Sequence, residues 1–201
     1  HGLITVCDGM GDRGIYMALK AYEPIVKAHP DEDLRFGIDH SQITTEGIIE
    51  EYARLHVTGG CELVFVKSDI EIAEDRVGRH RASLSYNWKR FFDNGCVVAA
   101  GSDSPVEDFN PMLGIDGAVN RRDWNEQPEE GWFPEQRITV EQAVKILTSA
   151  YGYANSKTQY PDGFMSAAQK YNLFDNVTSS RLGTDVKRID VAVMLYNAAK
   201  N

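Results

Sequence analysis

The stretch LRFGIDHSQITTEGIIEEYARLH, residues 34–56, decides the fold. A short β-rich run ends at Asp39 and His40, and behind it a Thr-led segment repeats Ile48, Ile49, Tyr52 and Leu55 on one helical stripe. The pattern is a strand, then a helix, with a histidine left at the strand's exit. The same unit recurs on both sides. Upstream, LITVC (3–7) leads into DRGIYMALKAYEPIVKAH (12–29), where Ile15, Leu19, Tyr22 and Val26 share a face until HPDED breaks the pattern. Downstream, VTGGCELVFV (57–66) and the segment 70–94, with Trp88, Phe91 and Phe92 packed inward, form a third unit. GCVVAAGSD (95–103) opens a fourth, followed by the loop SPVEDFNP and the apolar segment MLGIDGAV. Four such units in series predict an α/β fold of parallel strands with helical crossovers, either a doubly wound sheet or part of a (β/α)8 barrel.

Polar residues favour the barrel. Asp8, His40 and Asp103 each follow an apolar run, which places them on the C-terminal rim of a parallel sheet, where barrel enzymes keep their chemistry. Glu62 ends the third run and can join them. An Asp or His after a strand also serves to cap the next turn, but three on one rim exceed what capping asks. Imidazole nitrogen and carboxylate oxygen together suit a borderline divalent ion such as zinc, which lowers the pKa of bound water and favours hydrolysis of a carbonyl substrate. The glycines Gly9, Gly11 and Gly14 have GxGxxG spacing, yet no acidic residue closes a second strand about 20 residues on, so dinucleotide binding is not predicted.

Composition sets the outer bounds. The chain has 201 residues, 42% of them hydrophobic, enough for a real core. Thirty acidic residues against 21 basic ones give a net charge of −9, the wrong sign for a nucleic-acid binder. No apolar run approaches the roughly 18 residues of a membrane span. Cys7, Cys61 and Cys96 are an odd number in β-like stretches and are expected as free, buried thiols. Charge is divided unevenly: residues 1–135 hold 25 acidic and 13 basic residues, whereas residues 136–201 hold 5 and 8. That shift predicts two units.

Five motifs, GMGDRGIYMALKAYE, FGIDHSQIT, AEDRVG, GSDSPVEDFNPMLGIDGAV and GWFPEQRITVEQA, together resemble in order and spacing the C-terminal half of amidohydrolase family 3 enzymes, in the branch of N-substituted formamide deformylase-like proteins. The resemblance implies the second half of a metal-dependent (β/α)8 barrel that hydrolyses C–N bonds of small amide-like substrates. It implies His40 as a metal ligand, Asp103 as ligand and general base, and Asp8 in a ligand's place where the family usually has His (HAIGDR against DGMGDR here). Arg121, Arg122 and Trp132 fall in the loop where such enzymes admit substrate. The family's paired HxH ligands and its N-terminal half have no counterpart in these 201 residues. The isolated chain is therefore expected to be inactive, with open barrel edges prone to self-association.

The tail resembles something different. Residues 138–200, with YGY, YPDGFMSAA, NLFDNV and VKRIDVAVMLYNA, are similar to an S-layer homology module of three amphipathic helices. That resemblance implies attachment to cell-wall polysaccharide, with Arg188 as the anion-contacting residue. The expected organisation is a partial amidohydrolase barrel over 1–137 and a small all-α module over 138–201. A noncatalytic wall-binding or structural protein is the alternative reading. Compartment follows the same division: cytoplasmic from the barrel part, cell envelope or extracellular if the module is functional.

Overall fold

The computed structural model describes residues 5–108 and 110–139, with the single positions 142, 145 and 170. Most of the expected helical module, including Arg188, lies outside the described residues. Within them the order is β1 (Val6–Gly9), α1 (Asp12–Ala28), β2 (Gly37–His40), α2 (Glu46–Leu55), β3 (Thr58–Glu62), α3 (Phe65–Val77), α4 (Arg79–Ala82), α5 (Trp88–Asp93), β4 (Val98–Gly101) and α6 (Pro111–Asn120). A 3-10 turn at Pro134–Gln136 follows.

The helices form where apolar spacing and caps agree. In α1, Ile15, Leu19 and Tyr22 are buried at helical intervals, Asp12 sits in the first turn and Lys27 in the last, matching the helix dipole. Thr45 caps α2 by accepting the Ile48 N–H, and His56 ends it in a left-handed conformation. Two expectations are corrected. LVFV does not extend β3, which stops at Glu62 with α3 starting at Phe65, because its apolar residues pack into the core as a turn and a helix. Segment 70–94 is the end of α3 followed by two short helices, broken at Gly78, whose φ of 77° favours glycine.

All four strands are parallel and lie in the order β1-β2-β3-β4. A doubly wound sheet reverses its strand order at a switch point; among the described strands each unit adds beside the last, an order that (β/α) barrels share. Strand parity assigns the two faces. Cys7, Ile38, Cys61 and Val98 pack with the helices, and a Cβ on Gly59 would meet the Phe91 ring at 2.9 Å. Val6, Asp8, Gly37, Asp39, Thr58, Gly60 and Glu62 point the other way, along with Val97, which is 62% exposed. Two apolar clusters fill the helix side. One joins Ile15, Leu19, Tyr22, Ile38, Tyr52 and Phe91, and the other joins Val66, Tyr86, Trp88, Ile115, Trp132 and Ile138. The cysteines are free, with Cys61 and Cys96 buried and Cys7 half-buried.

Candidate functional site

The chemistry gathers where β1, β2 and β3 end. Asp8 pairs in register with Asp39, and Gly9 with His40. Parity alone would send His40 to the helix side with Ile38, two residues earlier. Instead His40 and Ser41 adopt φ of 65° and 45°, left-handed values that cost a non-glycine residue on the order of 1–3 kcal/mol each. Ser41 holds this turn: its hydroxyl donates to the Ile38 carbonyl at 3.0 Å and shares a 2.7 Å hydrogen bond with the buried Tyr52 hydroxyl. The alternation is broken there, and the imidazole turns to the carboxylates of the open face.

Two carboxylates meet its two nitrogens. Glu62 Oε2 lies 2.9 Å from His40 Nδ1, and Asp8 Oδ2 lies 3.6 Å from Nε2. The Glu62 contact is close but off the ring N–H axis, so Nδ1 has no hydrogen bond of good geometry. Glu62 is 6% exposed, His40 11% and Asp8 76%. Burial pushes the Glu62 carboxyl up from its ordinary range; positive charge on His40 opposes this and the nearby Asp39 carboxylate reinforces it. Gly60 makes room for that Asp39 side chain, which would collide with any Cβ there.

The Nε2–Oδ2 pair tests whether these residues fit a metal. A separation of 3.6 Å is too long for a hydrogen bond. Two donors at zinc bond lengths on one tetrahedral ion stand about 3.3 Å apart, close to what is seen. His40 and Asp8 therefore fit two positions on one divalent ion. Glu62 faces the opposite ring nitrogen and cannot share that ion, and among the described residues no three His, Cys, Asp or Glu side chains are gathered to hold a metal. The expected set of His40, Asp8 and Asp103 is thus not assembled. Asp103 sits on an exposed turn beyond Gly101, with φ of 51° and its carbonyl accepting the Val106 N–H.

Of the expected substrate-side residues, Arg121 and Trp132 are buried. Arg121 has no exposed surface: it donates to the Trp132 and Tyr86 carbonyls, both at 2.7 Å, and lies between the Trp88 and Trp132 rings. Burial lowers its pKa, and the carbonyls and ring faces offset that cost. Trp132, 6% exposed, belongs to the same core. Arg122, half-buried, donates to the Glu129 carbonyl.

One buried polar unit was not foreseen. Lys67 in the first turn of α3 pairs with Asp116 of α6 at 2.8 Å and reaches the carbonyls of Arg122 and Asp123 at 3.3 Å. An acid inside the apolar run MLGIDGAV was its one visible signal. A cleft of about 640 Å³, lined in part by His29, Phe36, His56, Thr58 and Val97, opens at the N-terminal end of the strands, away from this rim.

Known proteins bear on the site at this point. The model of the amidohydrolase family matches residues 3–160, past the expected boundary at 137. A Bacillus subtilis (strain 168) protein, YtcJ, provisionally named an amidohydrolase, is 30% identical over 148 residues, covering 73% of this chain and 27% of its own length. The Arabidopsis thaliana protein LONG AFTER FAR-RED 3 is 30% identical over 150 residues, 73% of this chain and 25% of its own. The chain spans about a quarter of these relatives. Two crystal structures of uncharacterized metal-dependent hydrolases share the fold at 24% identity. That of Pyrococcus horikoshii OT3 has a TM-score of 0.59 over 71% of this chain and 28% of that one. That of Pyrococcus furiosus has a TM-score of 0.57 over 83% and 29%. A family match over most of the chain, on parallel strands wound in sequence, shows that this chain belongs to the amidohydrolase family.

Proposed function

We propose that the chain supplies the second half of the barrel of a metal-dependent amidohydrolase that cleaves C–N bonds in a small amide-like substrate, in the manner of the N-substituted formamide deformylase branch. One observation carries the reading: His40 Nε2 and Asp8 Oδ2 stand 3.6 Å apart on the C-terminal rim, the spacing of two donors to one divalent ion. An ion bound there, zinc for this donor set, supplies Lewis acidity toward a substrate carbonyl. Asp8 in place of a neutral ligand adds a negative charge and weakens that acidity. Asp103, on its exposed turn beyond β4, takes the role of general base. Arg122 is the substrate-side cation left by the burial of Arg121 and Trp132. Further ligands come from the half of the barrel these 201 residues do not include, so the isolated chain is inactive. Barrel residues 1–137 and a wall-binding module over 138–201, acting through Arg188, complete the proposal.

Elemental analysis of the purified, folded chain tests it. About one zinc per chain, lost in His40→Ala and Asp8→Ala, is expected; a folded chain without zinc overturns the metal reading. The exposure of Asp8, and the absence of a three-donor set among the described residues, favour one second reading, a noncatalytic protein working through the module. Sedimentation with isolated cell-wall polysaccharide, lost in Arg188→Ala, separates that reading from the first.

A further inference from the structure

We infer that Glu62 is a positioning residue for His40: it fixes the imidazole proton on Nδ1 and so leaves Nε2 as the free donor beside Asp8. The inference rests on the proposed metal reading for its purpose but not for its geometry. Glu62 ends β3, His40 ends β2, and the left-handed turn at His40 brings the ring against both flanking strands.

The two carboxylates compete for the proton unequally. Glu62 Oε2 is 2.9 Å from Nδ1 on a side chain 6% exposed, whereas Asp8 Oδ2 is 3.6 Å from Nε2 on one 76% exposed. Coulomb energy varies inversely with both distance and dielectric, so the nearer, more buried anion dominates. A lone pair on Nδ1 would face that oxygen at 2.9 Å and be repelled; an N–H there is attracted even though the contact is off axis. Ligating histidines characteristically give their second N–H to a carboxylate, which sets the tautomer and raises the basicity of the ligating nitrogen. Glu62 does not crowd the ion's place, because it faces the opposite edge of the ring.

The test uses the whole chain, metal-free and 15N-labelled, in alkaline buffer. Long-range 1H–15N spectra identify which ring nitrogen of His40 carries the proton, with His40→Ala supplying the assignment. Nδ1–H is expected in the wild type and a mixture of tautomers in Glu62→Leu. An Nε2–H wild type overturns the inference without any variant having to fold, and an unchanged Glu62→Leu spectrum also overturns it. Zinc affinity, measured by competition with a chromophoric chelator, is expected to fall roughly 10–100-fold in Glu62→Leu. Equal affinity in the two proteins overturns the inference. A wild type that takes up no zinc removes the metal reading instead, and the tautomer spectra still decide the part played by Glu62.

Discussion

Replacing Lys67 with Met removes one half of a buried ion pair. Nζ stands 2.8 Å from Asp116 Oδ2, with side chains 1% and 8% exposed. At that distance the gross attraction is about 6 kcal/mol for an effective dielectric near 20. Removing both ions from water costs several kcal/mol each, so the net worth of the intact pair is small. The single variant is different. It takes the Lys67 ammonium from the buried Asp116 carboxylate, which keeps the Asn120 amide at 2.7 Å, and it removes the Lys67 donor from the Arg122 and Asp123 carbonyls. Breaking one side of such a pair costs about 3–5 kcal/mol, a large share of the roughly 5–15 kcal/mol that holds a domain folded. With a urea slope of about 2 kcal/mol/M, the unfolding midpoint falls by roughly 2 M. Urea titrations followed by circular dichroism measure this. Adding Asp116→Asn is expected to recover more than half of the loss, because the buried carboxylate charge is then removed along with the ammonium. A loss below about 1 kcal/mol in the single variant, or a double variant no more stable than the single, refutes the buried-pair argument.

Two smaller perturbations test the parts that set the site. Ser41→Ala removes the hydroxyl that bonds Tyr52 and the Ile38 carbonyl, so it should cost about 1–3 kcal/mol in urea unfolding and lower zinc uptake with it; full stability would show that the left-handed turn needs no such support. On the surface, Lys27 and Lys20, with Arg54 behind them, hold the Glu23 carboxyl to about 2 against an ordinary 4.5. A lowered folded-state pKa contributes stability above 4.5 that is lost as pH falls toward 2. Glu23→Gln should therefore melt below the wild type at pH 7, with the gap closing across that acid window and shrinking in high salt. A gap independent of pH would refute the attribution.

Much of the architecture was legible because each unit repeats a local rule. Ile48, Ile49, Tyr52 and Leu55 lie on one stripe and are all buried, and Thr45 marks where that helix begins. Winding was less legible, since series of βα units fit two sheet orders until pairing is seen. The placement of the loop residues was less legible for a different reason. Arg121 and Trp132 look like exposed polar and aromatic groups in a loop, but the loop returns over the core and stacks the guanidinium between two indoles. Nothing local in a sequence announces that return.

The rim shows most sharply where reading a sequence stops. Position after an apolar run selected Asp8 and His40 correctly as neighbours, yet the same rule placed Asp103 with them, and the structure leaves Asp103 on an exposed turn. Parity explains the first outcome, whereas Asp103 lies beyond the end of β4, where strand alternation no longer applies. Asp8 and Glu62 face the open side because alternation puts them there, while His40 reaches them only by abandoning alternation. That departure costs backbone energy, and Ser41 and Tyr52 offset it from inside the core. The strained residue is thus the one that both carboxylates contact. If the strain served folding alone, a glycine at 40 would relieve it and stabilise the chain with no loss. Under the metal reading the same His40→Gly variant should unfold at equal or higher urea while binding no zinc, and retention of zinc in that variant would refute the link between strain and site.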